Sequence, residues 1–396
     1  MRRERREGIY NIIAILGIPV FSLLFLNVYI PNIMSKSDFA DWRLASSLIA
    51  FSGILHLGAA DGLYRTWLSG NGNIKIDFGA MLTVIIYVLV LSIASSLIAE
   101  SVFSLSALNA LSLGFAVFIS ALMSFSIYYC QVHLAGNVLR LSLVIQPVSF
   151  MATVYIISLL ARPTSSLVIV SYGISCLLPS LLALANKPLE IKGLNPWQET
   201  RRWLVLGAPI LLTNIWVIVF INYDKIFLRG LISSKIVYSD YALQSSLFVA
   251  SSGLGLSLGS FFVSRRIELI RSKWRGIIVC LPVLLSLILA MPLSNIMVLL
   301  IPRYSLDYRA VIVLSILSFG FMFVYVAYSK IYMTKELSLI MLFFLPLYSL
   351  AIIVSRLLAI TEIGYISYAS IGLYIIVAIF VLELRLKWRD KKKELL

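Results

Sequence analysis

Charge is scarce in this chain: 13% of its 396 residues are Asp, Glu, Lys or Arg, where soluble domains carry about a quarter. With 60% hydrophobic residues and a mean hydropathy of +0.97, it has more apolar surface than a soluble core can hide, so an integral membrane protein is expected. Histidine and cysteine are scarcer still. The two histidines, His56 and His133, form no Cys/His/Asp cluster, so no metal site is expected. Cys130, Cys176 and Cys280 stand singly in apolar runs without pairing or ligand spacing, and read as packing residues. A G-x-x-x-x-G-K-[ST] phosphate cradle is absent, so the chain does not hydrolyse ATP itself, and nothing calls for a cofactor. Long loops are missing too. None is able to fold into a soluble domain, and the short outer loops leave no seat for the catalytic group of a polysaccharide polymerase or glycosyltransferase, so no enzyme is expected.

Long apolar runs are what the chain has instead. A membrane helix needs roughly 20 mainly apolar residues. Cutting where charge, Gly, Pro or Asn cluster predicts about twelve spans, near 9–34, 42–67, 78–99, 105–130, 138–160, 165–185, 203–229, 236–263, 276–295, 309–331, 337–358 and 363–385. The basic start MRRERREG resembles that of a signal peptide, but the apolar run behind it is twice the usual length and lacks a clear cleavage site. It reads as a first span that stays.

Lysine and arginine set the orientation. With the N-terminus inside, the cytoplasmic segments hold 24 of them and the opposite side eight, with Lys225 near a helix end. Both termini then face the cytoplasm, and most of the +15 net charge is accounted for without a nucleic-acid partner. The longest hydrophilic stretch, 186–202, joins an N-terminal six-helix bundle, 1–185, to a C-terminal one, 203–396, whose basic tail lies near anionic lipid.

An internal repeat supports two halves. Tyr238 to Val263, laid under Phe39 to Tyr64 at an offset of 199 residues, gives eight identities, among them Asp41/Asp240, Ser46/Ser245 and Ser47/Ser246. Six helices per half is an even number, so the halves are parallel repeats about an axis along the membrane normal, a transporter layout.

Ionisable groups inside spans are costly and are functional candidates by default. His56 lies ~20 Å below the outer face if its span is straight. It is the candidate for proton coupling, or else a neutral imidazole bonded to a neighbouring helix. Asp61 and Arg65, spaced i, i+4, either form a local interfacial pair or belong to the machinery. Arg65, Arg140 and Lys330 each end a helix on the cytoplasmic side, where they anchor the helix or line an inner mouth that attracts phosphate. Asn214, Asn222, Asp224 and Lys225 crowd one span; the last two read as an interfacial cap or as a cation-sensitive hinge. Pro19 and Pro209 are candidate kinks. Ser251, Gly255 and Gly259 form a small-residue stripe for close helix approach. His56 and Asp61 have no counterpart in the second copy of the repeat, so substrate chemistry is expected to be asymmetric and weighted toward the first half.

Three stretches carry a family resemblance: ILHLGAADGLYRTW (Ile54 to Trp67), GAPILLTN (Gly207 to Asn214) and INYDKIFLRGLISSKIVYSDYALQSSLF (Ile221 to Phe248). They resemble the Wzx-type flippases of lipid-linked polysaccharide units, in the superfamily that also holds the multidrug and toxic compound extruders (MATE). The resemblance implies an all-α polytopic fold, MATE-like, with two six-helix bundles alternating around a cationic cavity. It implies a bacterial inner-membrane protein of O-antigen or other polysaccharide biosynthesis that flips an undecaprenyl-pyrophosphate-linked glycan, driven by an ion gradient. A polysaccharide polymerase and a chain-length regulator would be its partners. The acidic-basic pair of such proteins falls on Asp224 and Lys225, and the basic residue closing the second span falls on Arg65. An ion-coupled drug or metabolite exporter of the same fold is the alternative.

Overall fold

The computed structural model describes residues 21–22, 24–69, 78–132, 136–185, 196–232 and 234–246, together with 295–296, 299–304, 316, 350 and 353–354. Pro19, Lys330, the stripe at Ser251, Gly255 and Gly259, and nearly all of the last four expected spans lie outside the described residues. The chain folds as two units, the first including Leu24–Ser239 and the second Asp240–Leu396. In the second, 240–246 are helical. The helices below belong to the first, and no strand occurs among the described residues.

A single π turn, Phe25–Tyr29, and a short helical turn, Ile30–Ile33, lead into α1, Lys36–Ile49. Ser35 caps α1 by accepting the Asp38 amide at 3.0 Å. α2 covers Ala59–Ser69, α3 Phe78–Phe103, α4 Ala107–Val132, α5 Gly136–Leu160, α6 Ser165–Ala185 and α7 Pro196–Leu231. α4 packs on α6, α3 and α2; α5 packs on α6; α7 packs on α2 and α3. Lys36–Leu63 taken together, Phe78–Phe103, Ala107–Ile127 and Ser165–Leu182 are long and apolar enough to cross a membrane, and Val144–Leu160 is a shorter apolar helix.

α3 shows why such a helix needs a bilayer. Met81, Val84, Val88, Ser92, Ser96 and Ala99 recur every three or four residues on the buried face. Leu82, Ile86, Leu89, Ile93 and Leu97 recur likewise on the opposite face and are exposed. A helix apolar all round is stable only inside a larger core or in lipid, and this outer face has no protein over it among the described residues. Small residues let α4 come close: Ser96 Oγ donates to the Ala110 carbonyl at 2.6 Å.

Two expectations are corrected. The span expected as one helix over 42–67 is broken. α1 ends at Ile49, a 3-10 turn runs Ala50–Ile54, and α2 starts afresh at Ala59. Leu57 (φ 49°) and Gly58 (φ 84°) sit in the left-handed region, and the break is closed by Leu57 N–H to the Ile54 carbonyl at 2.9 Å and Ala59 N–H to the His56 carbonyl at 2.8 Å. The expected linker 186–202 also shrinks from its far end, because α7 begins at Pro196. Proline at the first helical position lacks only an amide that would go unbonded anyway, and Glu199 in the first turn and Arg229 in the last complement the helix dipole. At 36 residues α7 is about 54 Å long, and it runs through Pro209 without interruption.

Candidate functional site

Two polar places stand out in the first unit, both touching α7. The first is the break between α1 and α2. His56 is buried there, and Tyr87 Oη of α3 donates to its carbonyl at 2.6 Å. Ser52 and Ser120 hydroxyls meet at 2.8 Å, fixing the turn to α4. The backbone of α2 then lies against that of α7. A Cβ on Gly62 would overlap the Trp203 carbonyl, and one on Gly207 would overlap the Gly58 carbonyl. Arg65 closes the contact by donating from Nη1 to the Leu206 carbonyl at 3.1 Å. Asp61 is buried in the first turn of α2, where the helix dipole favours a carboxylate.

The second place is where α1, α4 and α6 begin and α7 ends. Asp41 on α1 is its hub. Its Oδ2 accepts from Lys235 Nζ at 2.8 Å, as an ion pair, and from Asn109 Nδ2 at 3.2 Å. Asn109 Oδ1 accepts from Ser165 Oγ at 2.9 Å, and the Ser165 amide reaches Asp38 Oδ1 at 3.3 Å. Beside this chain Arg43 donates from Nη2 to the Leu26 carbonyl at 2.6 Å and to Asn27 Oδ1 at 2.8 Å, with its guanidinium 4.9 Å from the centre of the Phe39 ring. On α7, Lys225 Nζ meets Asp224 Oδ1 at 3.2 Å, both side chains almost fully buried. Arg229 lies over the Tyr238 ring at 5.6 Å and donates to the Ile232 carbonyl at 3.1 Å. Tyr238 stands within electrostatic reach of Asp224, Arg229, Arg43 and Asp41, which makes these groups one cluster.

Among the described residues the cluster sets four basic side chains against three carboxylates. Arg43, Lys225 and Arg229 are buried and Lys235 is partly so, facing the carboxylates of Asp41 and Asp224. Asp38, bonded to Ser165, adds one more carboxylate. Buried charges are tolerated when paired and hydrogen-bonded, and an unbalanced excess attracts the opposite sign. Here that sign is negative.

The residues singled out from sequence fall unevenly on these two places. His56 lies in the break, and Asp61 and Arg65 lie on α2, which starts just behind it. Asp224 and Lys225 join the second cluster, 18 residues and so about 27 Å further along α7 than Leu206 if the helix is straight. Asn222 is buried but donates to its own helix, at the Ile218 carbonyl 3.0 Å away. Asn214 is half-buried on α7, and Arg140 lies on α5. Asp41, Arg43, Asn109, Ser165, Arg229, Lys235 and Tyr238 were not singled out as site residues. One sequence signal points to two of them: Ser35, Lys36 and Asp41 recur as Ser234, Lys235 and Asp240 at the repeat offset of 199.

No protein-family model and no curated protein matches this chain. Solved structures do. A MATE crystallised with MaD3S is 14% identical over 96% of this chain and 95% of its own, with a TM-score of 0.54. The Vibrio cholerae MATE transporter VcmN, as a mutant, is 13% identical over 97% and 94%, with a TM-score of 0.51. The eukaryotic MATE transporter AtDTX14 is 15% identical over 98% and 93%, with a TM-score of 0.50. The chain therefore has the MATE fold, an all-α polytopic membrane architecture, and the likeness covers nearly its whole length.

Proposed function

We propose that this protein is a flippase that carries an undecaprenyl-pyrophosphate-linked oligosaccharide across the bacterial cytoplasmic membrane by alternating access. The observation that carries the reading is the cationic excess of the buried cluster at Arg43, Lys225, Arg229 and Lys235. A pathway for cationic drugs needs the reverse balance, whereas a pyrophosphate is matched by guanidinium forks and ammonium groups. Arg65, Arg140 and Lys330 receive the pyrophosphate on the cytoplasmic side, Asn214 and Asn222 offer amides to the sugars, and His56, Asp61, Asp224 and Lys225 are the ion-coupling groups. Both termini lie in the cytoplasm, by the lysine and arginine asymmetry. A polysaccharide polymerase and a chain-length regulator act downstream.

A second reading, an ion-coupled drug or metabolite exporter, rests on the MATE fold and on the buried carboxylates of Asp41, Asp61 and Asp224. Deletion in the native host separates the two. The flippase reading expects surface polysaccharide to be lost while undecaprenyl-linked units accumulate on the cytoplasmic leaflet; normal surface glycan in the deletion strain would overturn it. Re-expressing the Arg65→Ala variant at normal protein level is expected to restore less surface glycan than the parent, because Arg65 is one of the groups that receive the pyrophosphate; full restoration would leave Arg65 only as the residue that ties α2 to the Leu206 carbonyl of α7.

A further inference from the structure

We propose that the Asp41–Lys235 ion pair is a releasable latch at the end of the bundle where α1, α4 and α6 begin. The two partners are built differently. Asp41 is fixed, with its carboxylate 7% exposed and tied through Asn109 and Ser165 to α4, α6 and Asp38. Three helices thus hold one acceptor in place. Lys235 stands at the start of the helix that follows α7, and its side chain is 34% exposed. It has a long flexible stem and access to solvent.

The strength of such a contact suits a gate. A fully buried pair would leave a costly unpaired charge whenever it parted, and a fully exposed pair would bias nothing. With its ammonium partly exposed, Lys235 can be rehydrated on release, while Asp41 keeps the Asn109 amide. The other charges nearby are already occupied. Arg43 is held by Leu26 and Asn27, Lys225 by Asp224, and Arg229 by the Ile232 carbonyl and the Tyr238 ring. Asp41 lies on α1 and Lys235 opens the helix that follows α7, both within the first unit, so the pair ties that helix start to the end of the bundle where α1, α4 and α6 begin. The inference rests on the transport reading of the fold but not on which substrate is carried.

The test reads opening without any substrate. In a variant with Cys130, Cys176 and Cys280 replaced by Ala, Ser47→Cys places a thiol at a buried position six residues beyond Asp41 on α1. The full chain in lipid nanodiscs is treated with a membrane-impermeant maleimide, and the labelling rate is compared with Lys235→Gln, Lys235→Arg or Asp41→Asn added. Lys235→Gln leaves the Asp41 network intact and so keeps the folded background. The latch predicts labelling roughly threefold to tenfold faster for Lys235→Gln and Asp41→Asn, and near the parental rate for Lys235→Arg, which keeps the charge. An unchanged rate for Lys235→Gln overturns the proposal, as does equal acceleration by Lys235→Arg, since packing rather than charge would then be at work. Loss of the latch with surface glycan still dependent on the gene would leave the flippase reading standing, and the reverse result would remove that reading alone.

Discussion

Gly62→Val is expected to leave little folded protein. At Gly62 the α2 backbone lies so close to the Trp203 carbonyl that the first side-chain carbon already overlaps it, and backbone does not move aside as the end of a flexible side chain does. Overpacking of this kind costs about 3 kcal/mol or more once two helices must part. The same substitution also strips the seat of Arg65 on Leu206, because α2 would lift from α7. Thermal unfolding of the purified protein in detergent should show a midpoint far below the parent's, or too little monodisperse protein to measure. Gly230→Ala is the internal control. It sits on α7 with nothing within 4 Å of its added carbon, and alanine favours a helix by about 1 kcal/mol over glycine. Its midpoint should match or exceed the parent's. If Gly62→Val unfolded at the parental temperature, the tight contact between α2 and α7 would be wrong.

Asp224→Ala is the second large effect. It removes a carboxylate 3.2 Å from an ammonium whose side chain is 4% exposed, and breaking a buried pair from one side costs about 3–5 kcal/mol. The cost arises from the charge left behind, so Asp224→Ala with Lys225→Met should recover most of the lost stability. A double-mutant cycle on unfolding midpoints measures this directly. If the single and double variants were equally destabilised, Lys225 would not depend on Asp224, and the buried cluster would need another explanation.

These two sites also mark the limit of what the sequence discloses. The membrane class, the separate helices α3 to α6 and their approximate ends are legible because an apolar run of span length admits no other reading; α3 is apolar on both faces. The start of α7 at Pro196 was legible in principle, since proline at the first position with Glu199 behind it is a helix-start signal; the surrounding charge hid it. The break in the second span was not. Prolines are where kinks are sought, yet Pro209 lies inside an unbroken helix, while the break falls at Ala50 to Gly58, where small residues look like ordinary helix-packing residues. The second cluster is legible only in part, in Asp224 and Lys225 and in the repeat that marks Asp41 and Lys235. Asp41, Asn109, Ser165 and Lys235 lie tens to nearly two hundred residues apart, and only packing of α1, α4 and α6 brings them together.

Asp224 and Lys225, read from sequence as an interfacial cap or a cation-sensitive hinge, form a buried ion pair. The same burial extends to Arg43 and Arg229, which place further positive charge at this end of the bundle. Anion recognition at this cluster is the central claim. It is tested most directly by reconstituting the purified protein in liposomes and following the movement of a fluorescent undecaprenyl-pyrophosphate oligosaccharide between leaflets, beside that of a cationic amphiphilic dye. The account predicts protein-dependent movement of the pyrophosphate lipid, slowed by Arg43→Gln with Arg229→Gln, and none of the dye. Movement of the dye with the pyrophosphate lipid left in place would contradict it.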